Sequence, residues 1–229
     1  MYDTVNETTL HVLGMSWHTE NDSLWCGKIG EEVTKITKRH ILQKVASIFD
    51  PLAMLSPITI QMKILLQDTW LQGFDWDDDL PNEMIQHFLK WQGDIKKVID
   101  IKIPRWLYYE TAAYITLHCF CDSSNRAYAT VIYMKSSINN KVKINLVLAK
   151  SKVKPTKEIS IPRLELLACL IGARLVNYVK DCLKIDCKTF YWSDSMVALG
   201  WIHSRVDRWK PFIANRVQEI QSLSEPSQW

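Results

Sequence analysis

Four things are missing from this 229-residue sequence, and each removes a class of protein. No apolar run approaches bilayer length, since charge breaks every such stretch within about a dozen residues, so a membrane-spanning helix is not expected. The cysteines (Cys26, Cys119, Cys121, Cys169, Cys182 and Cys187) follow no repeating spacing, and no basic-then-apolar leader opens the chain. That argues against a secreted disulfide framework and for reduced thiols in an intracellular, cytoplasmic protein. Neither Asp-Thr-Gly nor Asp-Ser-Gly occurs, so the turn on which an aspartic protease presents its carboxylate is lacking, and protease activity is not expected. Charge of one sign is also lacking: 28 Lys and Arg against 25 Asp and Glu leave +3, which neither demands nor excludes a nucleic-acid partner.

What is present is enough apolar material, 47% of the chain, for one large domain or two small ones. Residues 10–15 and 23–26 alternate around an Asn21-Asp22 turn, which predicts a hairpin. From Thr37 the period becomes helical, with Ile41, Leu42, Val45, Ile48 and Phe49 recurring until Asp50-Pro51 stops them. Ser56 as N-cap and Pro57 at N1 predict a second helix carrying Ile60, Ile64, Leu65 and Trp70. A third follows Leu80-Pro81, with Ile85, Phe88, Leu89 and Trp91 on its apolar side. After Pro104 the period falls to two: strands over 114–121, 127–134 and 142–149, joined by polar turns at 123–125 and 136–140. A helix from Pro162 to about Leu183, a strand over 189–192 and helices over 195–203 and 211–222 complete a mixed α/β order. The sequence reads as a piece of a longer one, since its start runs straight into a strand pattern and Trp229 hangs just after a turn signal.

Three acids stand out by position. Asp122 and Asp194 each end a predicted strand, and a crossover helix between those strands permits them to be parallel neighbours, so that both carboxylates leave the sheet at one edge. Glu165 lies in the first turn of that helix, and steps of three and four from it reach Ala168, Cys169 and Gly172, small residues that let the helix approach the sheet and aim the carboxylate inward. Singly, each has a local explanation: Asp122 opens a turn, Asp194 caps a helix, Glu165 favours a helix N-terminus. Together, with no Arg or Lys inside the group, they repel one another unless a divalent cation intervenes, and an all-oxygen set suits Mg²⁺ or Mn²⁺. Two such ions about 3.5–4 Å apart support in-line phosphodiester cleavage.

Ordered motifs along the chain resemble the polyproteins of Pao/Bel-class long-terminal-repeat retrotransposons. They are Leu13-Gly14-Met15-Ser16-Trp17, Thr37-Lys38-Arg39-His40-Ile41-Leu42, Phe49-Asp50-Pro51-Leu52, Trp70 with Phe74-Asp75-Trp76-Asp77-Asp78, and Ile103-Pro104-Arg105. Asp122-Ser123-Ser124, Ile161-Pro162-Arg163-Leu164-Glu165-Leu166, Ser193-Asp194-Ser195 and Phe212-Ile213-Ala214-Asn215-Arg216-Val217 continue the series. The resemblance implies the end of a reverse-transcriptase palm over 1–33, a helical thumb or connection over 34–105, and a ribonuclease H-like α/β domain over 106–229. It implies metal-ligand and catalytic roles for Asp122, Glu165 and Asp194, a two-ion Mg²⁺ or Mn²⁺ site, hydrolysis of RNA in RNA/DNA hybrids, and a place in a cytoplasmic virus-like particle beside the rest of the polyprotein. Ala53 and Ser123 depart from the glycine and alanine usual in that family. The fourth acid of a ribonuclease H site, carried after a fifth strand, is not in the chain, and Trp229 falls where that strand is expected to begin.

The densest basic stretch is Lys141, Lys143, Lys150, Lys152, Lys154, Lys157 and Arg163 against the single acid Glu158. Lys150, Lys152, Lys154 and Arg163 are candidates for tracking the phosphates of a hybrid, and Ser123, Ser124 and Ser195 for contacts beside the acids, where a ribose hydroxyl would be sensed. A solvated, solubilising loop explains the lysines equally well. Structural zinc at His118, Cys119 and Cys121, or at Cys182 and Cys187, is not expected, because the paired two-residue spacing is lacking and strand alternation turns His118 from the cysteines. Periodicity turns Trp70, Trp76, Trp91, Trp192, Trp201 and Trp209 mostly inward. The alternative to a nuclease is an inactive relic or a connection-like module that binds nucleic acid or scaffolds a polymerase.

Overall fold

The computed structural model describes residues 8–12, 15–26, 35–107, 114–139 and 141–229. The chain divides into two units, one made of residues 1–51 and 55–106, the other of 52–54 and 107–229.

In the first unit, strands β1 (Thr9–Val12), β2 (Met15–His18) and β3 (Ser23–Cys26) form an antiparallel meander. The alternation over 10–15 is thus divided between two strands that pair with each other, and Leu13 and Gly14 lie outside the described residues. Helices α1 (Lys38–Ala46), α2 (Ser56–Leu71) and α3 (Asn82–Val98) follow, and β4 (Ile103–Pro104) returns to pair with β3. Arg105 fastens that return: its guanidinium donates to both Asp22 oxygens while the Trp17 indole donates to one of them. The arginine holds the Asp22 carboxyl below its usual range.

Thr37 caps α1 through its hydroxyl, but the helix stops at Ala46, so Ile48 and Phe49 lie beyond it. The N-cap of α2 is Leu55, one residue before the serine expected there, and the Asp50 carboxylate accepts from the Leu55 N–H. On α3 the inward stripe is Met84, Phe88, Trp91 and Ile95, spaced by four, three and four; Leu89 falls off it and is exposed. Trp91 is fully buried and gives its indole N–H to the Ile58 carbonyl. Trp70 was expected inward and is instead exposed, where the Lys38 ammonium lies 3.7 Å from its ring centre.

The second unit is built on a four-stranded sheet ordered β7-β6-β5-β8: β5 (Tyr114–Ser123), β6 (Ala127–Ile138), β7 (Lys141–Val153) and β8 (Lys188–Trp192). The first three strands are antiparallel, and β8 is parallel to β5. Helix α4 (Ile161–Leu183) makes the crossover, followed by α5 (Met196–Ile202) and α6 (Pro211–Leu223). The strands outrun their expected ends. Ser136, Ser137 and Ile138 belong to β6, the turn expected over 136–140 keeps only Asn139, at φ +46°, among the described residues, and the lysines at 141, 143, 150 and 152 are strand residues of β7, not a loop. Leu52 joins this unit by accepting from the Ala149 N–H, and Ala53 beside it sits at φ +54°.

The core lies between the sheet and α4. One face of β5, with Leu117, Cys119 and Cys121 buried, meets the small-residue stripe of the helix. A Cβ on Gly172 would lie 2.6 Å from Cys121 Sγ and 2.9 Å from Cys119 Sγ, so this closeness requires glycine. Among the described residues no helix is long and apolar enough to cross a membrane.

Candidate metal centre

Strand register sets the site. Phe120 of β5 stands beside Trp192 of β8 in the parallel pair, and two residues beyond each come Asp122 and Asp194, which leave the sheet at the same edge. Glu165 is supplied by α4. That helix begins at Ile161 with Pro162 in its first turn, so Glu165 lies just past the first turn rather than in it. Its stripe of Ala168, Cys169 and Gly172 is pressed to the sheet, and the carboxylate comes in at the same rim.

One carboxylate oxygen from each of Asp122, Glu165 and Asp194 lies within 4.8 Å of the others; Glu165 is buried and the two aspartates are exposed. Among the described residues none of the three forms an ion pair. Ser123 holds the group together from the protein side. Its backbone N–H points at Asp122 Oδ1 (2.7 Å) and Glu165 Oε1 (3.1 Å), and its hydroxyl donates to Glu165 Oε1 at 2.7 Å. Glu165 Oε2 is buried without a partner. Burial pushes the Glu165 carboxyl above its usual range, the Asp122 and Asp194 charges push the same way, and the bonds from Ser123 pull against them.

The oxygen-only donor set, the orphaned Oε2 and the absence of a counter-cation among the described residues fit a hard divalent ion such as Mg²⁺ or Mn²⁺. Nor do the local explanations account for Asp194 and Glu165. The N-cap of α5 is Ser195, not Asp194, and α4 has no acid in its first turn. No fourth acid joins the group among the described residues. Trp229 is not in a strand: it follows a 3-10 turn at Pro226–Gln228 and stacks on Tyr191 with ring centres 4.3 Å apart.

The other singled-out residues divide. Ser123 is in the site, but its hydroxyl serves Glu165. Ser124 closes the β5–β6 turn, accepting from the N–H groups of Arg126 and Ala127, and the Ser195 hydroxyl caps α5. Lys152 shares a ladder row with Ser123 through Tyr128, which puts it two strand spacings, roughly 10 Å, from the serine on the helix-side face. Lys150 is two residues further along β7, on the same face, and Lys154 lies just past the strand, where its N–H bonds the Arg126 carbonyl. Arg163 is packed over the Phe212 ring at 5.2 Å, and among the described residues it makes no ion pair with the carboxylates.

Cys119 and Cys121 are buried toward α4, while His118 lies on the other face, stacked between Phe190 and Trp192. Trp192 was expected inward and is instead half-exposed, stacked with Phe120 and donating its indole N–H to His118 Nδ1. This outward ladder of rings borders an open groove of about 610 Å³ that reaches Asp122 and Asp194. The alternating rings in Phe190-Tyr191-Trp192 and His118-Cys119-Phe120 carried its signal in the sequence.

Among solved structures, the chain is similar to the foamy viral protease-reverse transcriptase dRH in complex with double-stranded DNA, at 11% identity and a TM-score of 0.44, over 93% of this chain and 35% of that one. It is also similar to the foamy viral protease-reverse transcriptase in complex with double-stranded DNA, at 11% identity and a TM-score of 0.30, over 93% of this chain and 43% of that one. The chain therefore spans less than half the length of either. No curated protein matches it. A family model described as the Pao retrotransposon-like RNaseH-like domain matches residues 37–195. With well over half of its length so matched, the chain belongs to the Pao retrotransposon-like RNaseH-like domain family.

Proposed function

We propose that the unit around the second sheet is a divalent-metal-dependent endonuclease module that hydrolyses the RNA strand of RNA/DNA hybrids within a retroelement reverse-transcriptase polyprotein. The observation that carries this reading is the approach of Asp122, Glu165 and Asp194, from three separate segments, to within 4.8 Å, with no ion pair to any of them among the described residues. An arrangement that costs repulsion and has no cation beside it among the described residues fits a role in binding something positive.

Asp122, Glu165 and Asp194 would hold Mg²⁺ or Mn²⁺. When bound, such ions neutralise the carboxylates, activate water and stabilise the leaving oxygen of a phosphodiester in an in-line displacement. The protein's own contribution is placement. Asp122 rides on β5 and Asp194 follows two residues after the end of β8, the parallel ladder between these strands bringing both to one edge, and the third acid is held by a helix that cannot slide without driving Gly172 into Cys119 and Cys121. Lys152 and Lys150, on the helix-side face at the sheet's edge strand, supply positive charge for a strand of phosphates passing over the rim.

The test is cleavage of a hybrid carrying labels on both strands by the domain in its polyprotein. RNA-strand cutting that requires Mg²⁺ or Mn²⁺, and that drops by roughly 100-fold or more in Asp122→Asn, Glu165→Gln and Asp194→Asn, is the expected result. Cutting that persists in chelator or in Asp194→Asn would overturn the proposal. Affinity for hybrid should also fall steeply with added salt, and less steeply in Lys150→Ala/Lys152→Ala.

A further inference from the structure

We infer that Ser123 is a positioning residue for the metal centre: through its hydroxyl it fixes the Glu165 carboxylate so that Oε2 is the oxygen presented to a divalent ion. The inference rests on the reading of the three acids as metal ligands and adds to it a residue that does not itself touch the metal or the substrate.

The geometry is specific to this serine. Glu165 reaches the rim from a helix, while Asp122 and Ser123 end a strand, so nothing covalent relates the two carboxylates. Ser123 supplies the relation with two donors. Its N–H is shared between Asp122 Oδ1 and Glu165 Oε1, and its hydroxyl goes to Glu165 Oε1 alone, at 2.7 Å. Glu165 Oε1 thus accepts twice from one residue, and Oε2, in a residue only 5% exposed, accepts from nothing. A carboxylate with one oxygen doubly bonded and the other bare has lost its freedom to flip or to turn both oxygens outward. It is set before any ion arrives. Side chains that hydrogen-bond a ligating carboxylate raise affinity by holding this orientation, and their loss weakens metal binding by roughly 10–100-fold.

Ser123 was expected to sense a ribose hydroxyl; its one O–H donor is given to Glu165, which leaves only the lone pairs of its oxygen for a sugar. Its neighbour Ser124 is equally committed, to the β5–β6 turn. The donor of Ser123 therefore acts on the acid.

The experiment is Mn²⁺ binding to the whole chain, read by the loss of the free-ion electron paramagnetic resonance signal, in the parent, Ser123→Ala, Ser123→Thr and Asp122→Asn. Expected are binding by the parent, an approximately 10-fold weaker affinity in Ser123→Ala, near-parent affinity in Ser123→Thr, which keeps the hydroxyl, and a larger loss in Asp122→Asn. Equal affinity in the parent and Ser123→Ala, with Asp122→Asn impaired, would overturn the role of Ser123 and leave the metal centre standing. Equal losses in Ser123→Ala and Ser123→Thr would also overturn it, since shape and not the hydroxyl would then matter. No binding by the parent, or none lost in Asp122→Asn, would remove both the role and the reading beneath it. Circular dichroism checks each fold, and Ser123→Gly reads the same loss of hydroxyl should Ser123→Ala not fold.

Discussion

Replacing Glu165 by glutamine is expected to stabilise the metal-free chain and to abolish its stabilisation by metal. Each neighbouring carboxylate within 4.8 Å of Glu165 repels it by about 0.9 kcal/mol at the dielectric of water and by about 3.5 kcal/mol at an effective value near 20. Asp122 and Asp194 are exposed, so the lower figure governs each pair, and two pairs give a gain of about 1–2 kcal/mol for Glu165→Gln. The amide oxygen still accepts from Ser123, and the new NH₂ takes the place of the unpartnered Oε2 beside two carboxylates, so no bond is lost. The sign with pH follows. The folded-state pKa of Glu165 is raised, so its contribution to stability is complete below the unfolded value of about 4.5 and is lost as pH rises through the folded value. Thermal melts in chelator should put Glu165→Gln roughly 3–8 °C above the parent at neutral pH and converge with it below the ordinary glutamate range. With Mn²⁺ at about a hundred times its dissociation constant the parent gains about 2.7 kcal/mol and overtakes the variant. A variant that melts at or below the parent in chelator would refute the electrostatic account.

Other perturbations test the packing around the site. Gly172→Ala should cost about 1–3 kcal/mol in urea denaturation, because the added methyl meets two buried sulfurs below 3 Å. Ala53→Gly should gain about 0.5–1 kcal/mol in the same assay, since φ +54° is a conformation that glycine adopts without a steric cost. Thiol titration of the native chain should label the exposed Cys182 first, and Cys26 only on unfolding, because burial, reinforced by the Asp50 charge, pushes the Cys26 thiol up to about 12.

Legibility in the sequence followed how local the determining physics is. The parallel placement of the strands that lead to Asp122 and Asp194 was readable because a helix long enough to cross back separates them, and a crossover leaves few alternatives. The helical stripe of α3 was readable in kind but not in phase. Ile85 and Leu89 are as apolar as Met84 and Ile95, and the choice between them is made by the other helices. The ends of β6 and β7 were hidden for a related reason. Serines and lysines terminate a strand by propensity, yet along 136–143 each pairs with a residue across the ladder, and hydrogen bonding outweighs the propensity.

The site was legible as a set of acids but not as a device. Spacing could place three carboxylates at one rim, because strand ends and helix stripes are periodic. It could not assign hydroxyls, because a serine beside an acid in sequence can face a base, a turn or another carboxylate with equal local cost. Ser123, Ser124 and Ser195 are adjacent to the site's aspartates or one residue beyond, and in the fold they do three different things: hold Glu165, close a turn and cap a helix. What separates them is a contact between residues 42 positions apart, Ser123 and Glu165, which exists only because glycine at 172 lets the helix come down onto the sheet. Gly172→Ala should therefore lower Mn²⁺ affinity as well as stability, by lifting Glu165 away from Ser123. Calorimetric titration of that variant with an affinity equal to the parent's would show that the helix can retreat without moving the acid.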